Sequence, residues 1–359
     1  DRMMLLGRLQ VLADGEKIDI GGAQIVHHLE DLVILLAETH HEARLDAQTG
    51  ARRRRPVDVG ITRAPEVVLH VPFAVARICV AVGFSGDTVT SWASLDFQPY
   101  FTATAANIGY GWWSHDIGGH MFGIRDDEMA TRWFQLGTFS PINRLHSTKD
   151  LFAGKEPWKY AAPARAAMGE SLRLRHRLIP YLFTMSERAH RLGEPLVRPL
   201  YHLDPRPETL EAPTTYAFGS ELLVAAITSP ADRRTTLAEV TAWLPAGDWI
   251  DFFTGLRYGG GRTVQLHRPL DGYPVLARAG AIVPLADQLG TGNPESLELH
   301  VFAGADGDFT LYEDDDLAEP RSVTTGYRYD HAAGELREAA DVAGGDDLRF
   351  RRHQRCGFS

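Results

Sequence analysis

Asp87, Asp116 and His146 lie 29 and 30 residues apart, and each closes a short apolar, extended-looking segment. That interval is about one strand-helix unit. In a (β/α)8 barrel such positions meet at the C-terminal mouth, where active sites sit. An open doubly wound sheet also aligns strand ends, but no Gly-x-Gly-x-x-Gly follows a strand here, and Gly259-Gly260-Gly261 reads as a hairpin turn. The chain has no metal-binding motif and no nucleophile elbow, so two carboxylates and a histidine point to acid-base chemistry. Trp112 and Trp113 lead into Asp116 and offer a flat wall for the apolar face of a sugar ring, while carboxylates accept its hydroxyl hydrogens. Plainer roles stand beside these. Asp87 can cap a helix, Asp116 can serve a turn before Gly118-Gly119, and Arg144 with His146 can form a structural pair. In a strand, Trp112 and Trp113 face opposite sides, so at least one belongs to the core.

The elements that must carry these residues alternate. A strand at 78–84 precedes a helix capped by Thr90 or Ser91, with Trp92, Leu95 and Phe101 on its face. A strand at 109–115 follows. Next comes a short helix capped by Asp126 or Asp127, striped by Met129, Trp133 and Leu136 and ended by Gly137. A third extended segment is expected at 138–145. A long helix over about 164–192 should kink at Pro180 and stop at Gly193, before a fourth strand at 196–201. This order predicts parallel strands with helical crossovers. After about Tyr216 short strands split by Pro, Gly and Asp turns predict one or two small β-sandwiches. Asp314-Asp315-Asp316 lacks the spacing of a calcium loop and reads as a solvated turn.

The 359 residues exceed one compact core. A net charge of -10 argues against nucleic acid as the main partner. The longest strongly apolar run, 32–37, is far too short to span a membrane, and no signal peptide is visible, so a soluble cytoplasmic protein is expected. Cys79 and Cys356 cannot build a disulfide framework or a zinc site. The first 80 residues hold one aromatic, Phe73, where an even spread would place about seven or eight. They also carry a helical apolar pattern (Ile25, Leu29, Leu32, Val33, Leu36), the pairs His27-His28 and His40-His41, and the run Arg52 to Arg55. The histidine pairs lack the spacing of a metal site, and the arginine run reads as a solvated loop before Pro56 rather than a contact for an acidic partner, with nucleic acid disfavoured by the net charge.

The segments 112–121 (WWSHDIGGHM), Arg132-Trp133 and 139–146 (FSPINRLH) resemble glycoside hydrolase family 31, the α-glucosidases and α-xylosidases. Residues 84–88 (FSGDT) followed by Trp92 are similar to its acid/base motif. Segments 194–199 and 218–224 resemble the barrel's last strand and exit, 249–255 and 278–284 its proximal β-domain, and 309–315 its distal one. The resemblance covers about 82–336. It implies a partial (β/α)8 TIM barrel followed by two small C-terminal β-sandwich domains. The implied segments are an unmatched 1–81, the C-terminal half of the barrel at 82–215, a proximal sandwich at 216–287 and a distal one at 288–359.

It further implies a retaining α-glycoside hydrolase acting on O-glycosidic bonds of oligosaccharides, without cofactor or metal. Asp87 matches the general acid/base. Asp116 and His146 match residues that hold sugar hydroxyls in the −1 subsite, and Phe84, Trp113 and Arg144 join the substrate-binding set. Phe84 stands where many relatives carry Trp.

The resemblance stops upstream. Nothing in 1–81 is similar to the Trp-x-Asp-Met-Asn-Glu strand end that carries the family's nucleophile, and Val71 stands where a sugar-binding arginine is expected. Residues after about Leu336 also leave the pattern. Hydrolysis is therefore expected to be impaired, the alternative being a non-catalytic remnant or carbohydrate-binding protein. A truncated gene or reading-frame errors would account for matched centre and unmatched ends. The DNA upstream of codon 82, read in all three frames, tests this.

Overall fold

A computed structural model describes residues 9–13, 16–20, 82–149, 151–290, 294, 296–315, 321–339 and 354–358. The expected helix near 25–36, both histidine pairs, Arg52 to Arg55 and Asp316 lie outside them. The chain divides into two compact units, 1–79 and 80–359. In the first, strands β1 (Leu9–Ala13) and β2 (Glu16–Ile20) form an antiparallel hairpin with Val11 opposite Ile18.

The second unit opens with the expected alternation. Strand β3 (Val82–Phe84) pairs parallel with β5 (Trp112–Ser114), and β4 (Val89–Thr90) pairs parallel with β6 (Met121–Gly123). Gly83 is required in β3, because a Cβ there would lie 2.2 Å from the Trp113 ring. Helix α1 (Trp92–Ala105) crosses between the strands and is capped by Ser91, whose side chain accepts the Ser94 N–H. Helix α2 (Asp127–Thr138) is capped by Asp126, which accepts from the Met129 N–H and from Trp92 Nε1, so one carboxylate ties the starts of both helices.

Three expectations need correcting. Helix α2 runs through Gly137 to Thr138, and 139–146 form no strand. The Arg175 guanidinium donates to the carbonyls of Thr138, Ser140 and Pro141, taking acceptors that a strand would have offered to a neighbour. The long helix is two helices, α3 (Ala162–Arg177) and α4 (Ile179–Leu192), parted at Leu178 because Pro180 has no N–H to continue the ladder. The fourth strand, β7 (Val197–Pro199), joins no parallel barrel sheet. It pairs antiparallel with β8 (Thr215–Phe218). Pro199 suits the edge of a sheet, and the Gly219 N–H bonds Leu196 O at the end of that pairing.

From β7 onward the structure is rich in antiparallel sheet. A six-stranded sheet has the order β12-β11-β14-β9-β8-β7, completed by β9 (Leu222–Ala225), β11 (Asp248–Asp251), β12 (Arg257–Gly259) and β14 (Val275–Arg278). Strands β10 (Ala238–Leu244) and β13 (Arg262–Arg268) pair antiparallel and stack on it through Val240, Ala242, Leu244 and Leu266 against Leu223, Ala225 and Leu276. Strands β15 (Ile282–Ala286) and β16 (Leu297–Val301) pair antiparallel, and β20 (Gln354–Phe358) adds parallel to β16. Strands β17 (Gly307–Asp314), β18 (Ser322–Asp330) and β19 (Glu335–Ala339) form a third sheet. Strand pairing thus crosses residues 215 and 287, where the sequence placed boundaries.

Arg132 explains how α2 docks on the β-rich half. Its side chain is fully buried, and its guanidinium reaches the carbonyls of Arg268, Pro269, Leu270 and Gly272. Replacing it by Met would strand these acceptors. We expect Arg132→Met to lower unfolding free energy by about 3 kcal/mol or more, read as a lower urea midpoint; an unchanged midpoint would remove Arg132 from this role.

Candidate active site

The turn after β5 is the hub of the site. Gly118 and Gly119 take positive φ values of 88° and 80°, a conformation open to glycine, and reverse the chain within two residues. A Cβ at Gly119 would strike the Thr90 backbone at 2.7 Å. The turn is tied on both sides. The His120 N–H donates to Thr88 O at 2.7 Å, beside Asp87, and the Ser85 N–H donates to Ser114 O. Arg144 O accepts the Ile117 N–H, and His120 O accepts the Thr148 N–H. Three loops, 84–88, 116–120 and 144–148, are therefore laced by main-chain bonds, and Asp87, Asp116 and His146 come together.

Asp116 is completely buried. Its Oδ1 accepts from Arg144 Nη2 at 2.7 Å, and its Oδ2 lies 3.0 Å from His120 Nδ1. Burial raises its pKa above the ordinary carboxylate range, opposed by the positive charge of Arg144 and by His120 and His146. On its other side, His120 places Nε2 3.5 Å from Asp87 Oδ2, and its ring lies 4.9 Å from that of His146. The Asp87 side chain is half exposed. The Arg144 guanidinium covers the Phe84 ring at 4.7 Å, holding Phe84 against the same cluster. Lys155 donates to Gly118 O at 2.6 Å from beneath the turn, and burial lowers its pKa to about 8. A cavity of about 210 Å³ borders this turn, lined by Thr90, Gly118, Arg125, Lys155 and Tyr160 among others.

Trp113 corrects the sequence reading of a sugar wall. Its ring packs edge-on to Phe101 of α1 at 4.7 Å and near Tyr110, and it is buried. Strand alternation within β5 places Trp112 and Ser114 on the face opposite Trp113. Phe84 pairs with Ser114. Trp112 is half-buried and is the tryptophan of the face opposite Trp113.

His115 serves the buried side. Trp133 Nε1 donates to His115 Nδ1 at 3.1 Å, His115 Nε2 bonds Ser140 Oγ at 2.9 Å, and Ser140 Oγ donates to Leu136 O. The Trp donor leaves only Nε2 to carry the proton, which makes His115 a neutral imidazole. Burial, with Arg144 nearby, lowers its pKa to about 3. This relay locks the strand end that delivers Asp116 onto α2.

Two residues of the cluster went unmarked in the sequence. His120 is four residues beyond Asp116, and the double glycine between them signalled a reversal that folds the two together. Lys155 had no local signal.

Glycosyl hydrolases family 31 TIM-barrel domain matches residues 47–185, and the same family's C-terminal domain matches 193–283. The chain belongs to glycosyl hydrolase family 31. The barrel match starts at residue 47, which corrects the expectation that 1–81 is unmatched: 47–81 belong to the matched region. An α-xylosidase of Saccharolobus solfataricus is 32% identical over 248 residues, covering 66% of this chain and 33% of that protein. Human neutral alpha-glucosidase C is 31% identical over 210 residues, 58% of this chain and 22% of its own. Among solved structures, the α-xylosidase of Xanthomonas citri superposes with a TM-score of 0.66 at 28% identity, over 77% of this chain and 32% of that one. A Flavobacterium johnsoniae dextranase, complexed with isomaltotriose as a D412A mutant, superposes at 0.61 and 27% identity, over 69% of this chain and 32% of its own. The family 31 chain thus spans about a third or less of these relatives. No helix among its described residues is long and apolar enough to cross a membrane.

Proposed function

We propose that the cluster holds one sugar ring of an α-glycoside, with Asp87 as general acid/base, and that hydrolysis by this chain is impaired. In this reading the buried Asp116 carboxylate and His146 accept and donate to ring hydroxyls. Arg144 fixes Asp116 and Phe84 together, Trp112 replaces Trp113 as the apolar wall, and the β-rich half, read as two small sandwiches, supports them. In that role Asp87 would protonate the leaving oxygen as a carboxylate bonds the anomeric carbon, and would then take a proton from the water that displaces that carboxylate; the cluster itself supplies no such nucleophile.

The observation that carries the reading is the Asp116–Arg144 ion pair at 2.7 Å, set between Asp87 and His146 on laced loops. A retaining displacement also needs a carboxylate free to attack the anomeric carbon. Asp116 does not supply one, since its oxygens face Arg144 and His120. That favours sugar binding with little turnover.

Calorimetric titration with the imino sugar 1-deoxynojirimycin and with free xylose tests the binding. One ligand should bind at one site per chain, and His146→Ala should weaken it about tenfold, the worth of a hydrogen bond of about 1.4 kcal/mol. His146 is exposed, so the substitution spares the fold. No binding by either ligand, or binding indifferent to His146→Ala, overturns the reading.

A further inference from the structure

The same cluster carries a feature that sugar recognition does not require. Asp116, His120 and His146 each offer one ligand atom within 4.8 Å of the others. Two imidazoles and a carboxylate are a donor set that zinc-class divalent ions prefer. Two of the three donors sit nine-tenths or more buried, and Asp116 Oδ2 and His120 Nδ1 lack a hydrogen-bond partner although they face each other at 3.0 Å. If His120 keeps its proton on Nε2, toward Asp87, its Nδ1 lone pair confronts a carboxylate oxygen. In that tautomer two acceptors are in contact, which a cation would relieve; with the proton on Nδ1 instead, His120 donates to Asp116 and the pair closes without one.

We propose that Asp116, His120 and His146 bind a divalent transition-metal ion of the zinc type. Asp87 then accepts from the far nitrogen of His120, the outer carboxylate that commonly orients a metal-bound imidazole. Ligand atoms around a tetrahedral ion with bonds near 2.1 Å stand about 3.4 Å apart. The Asp116–His120 pair is already that close. His146, exposed on its loop, closes the remainder by turning its side chain. The positive charge of Arg144 on Asp116 Oδ1 works against the ion and limits its affinity. A bound ion would occupy Asp116 and His146, so metal and sugar would compete; this last clause rests on the proposed sugar site, whereas metal binding itself does not.

Titration of the full chain, free of any affinity tag, with Co2+ tests the site through the visible absorption of four- or five-coordinate cobalt. We expect a saturable band at one ion per chain, bleached by Zn2+. His120→Phe and His146→Gln should each weaken binding at least tenfold, with unchanged circular dichroism. His267→Gln, remote and paired with Glu239, should leave it unaltered. Absence of the band overturns the proposal, because the Nδ1–H of His120 then satisfies Asp116 alone. A band that survives both His120→Phe and His146→Gln also overturns it and assigns the ion to other histidines, such as His27-His28 or His40-His41.

Discussion

An aryl α-glucoside added to the 359-residue chain is expected to release its phenol several orders of magnitude more slowly than with a complete α-glucosidase. Retention needs two carboxyl groups with separate tasks. Asp87 has the exposure for protonating a leaving oxygen. The carboxylate linked to it through His120 is Asp116, which is fully buried and salt-bridged to Arg144. Attack by Asp116 would require breaking that pair inside the protein, a cost that adds to the barrier instead of lowering it. The family's barrel match reaches back to residue 47, but no Trp-x-Asp-Met-Asn-Glu-like run occurs in 1–81. Each factor of ten in rate is about 1.4 kcal/mol, and a missing nucleophile forfeits several such factors. The assay compares the chain with Asp87→Asn, which removes proton transfer normally worth about 10²–10⁴-fold. Clear turnover abolished by Asp87→Asn would refute impairment and point to a nucleophile elsewhere in the chain.

Acid should weaken the fold through His115. In the unfolded chain its imidazole titrates near 6.5, and in the folded protein near 3. The folded state therefore binds fewer protons between these values. Stability from this group is complete above pH 6.5 and is lost as pH falls toward 3. The full shift corresponds to about 5 kcal/mol, of which about 2 kcal/mol is lost between pH 7.5 and 5. Asp116 has the opposite sign. Its raised pKa makes the folded state bind more protons, so its contribution is present at acid pH and falls as pH rises through its folded pKa. The two partly offset each other, and a variant separates them. Urea unfolding at pH 7.5, 6 and 5 should show a steep loss in the wild type. In His115→Asn the loss should be shallower by about 2 kcal/mol, although that variant starts less stable. Equal slopes would mean that the buried relay from Trp133 to Ser140 does not hold His115 neutral.

Much of the site was legible because its signals are local. Asp87 and Asp116 end strands, and the Ser91 and Asp126 caps announced the helices that follow. Glycine pairs marked the turn. Where the expectation failed, a distant partner decided. Residues 138–145 looked extended, but Arg175 from another helix claims the carbonyls of Thr138, Ser140 and Pro141. The segment 196–201 read as a barrel strand, but its partner is the edge of the β8–β9 hairpin. The tryptophan pair was known to split between faces. Which one faces inward depends on the register of β3 against β5, a relation between residues thirty positions apart.

By itself the sequence determined the family, the first alternation of strands and helices, and the three polar side chains of the cluster, two of which follow strands. These follow from short-range rules: hydrophobic period, capping and turn chemistry act within a few residues. Only the tertiary structure decided that Arg144 clamps Asp116, that His120 stands between the two carboxylates, that Trp113 belongs to the core, and that β7 leaves the barrel for an antiparallel sheet. Those outcomes depend on side-chain direction, burial and long-range pairing, which no local spacing encodes.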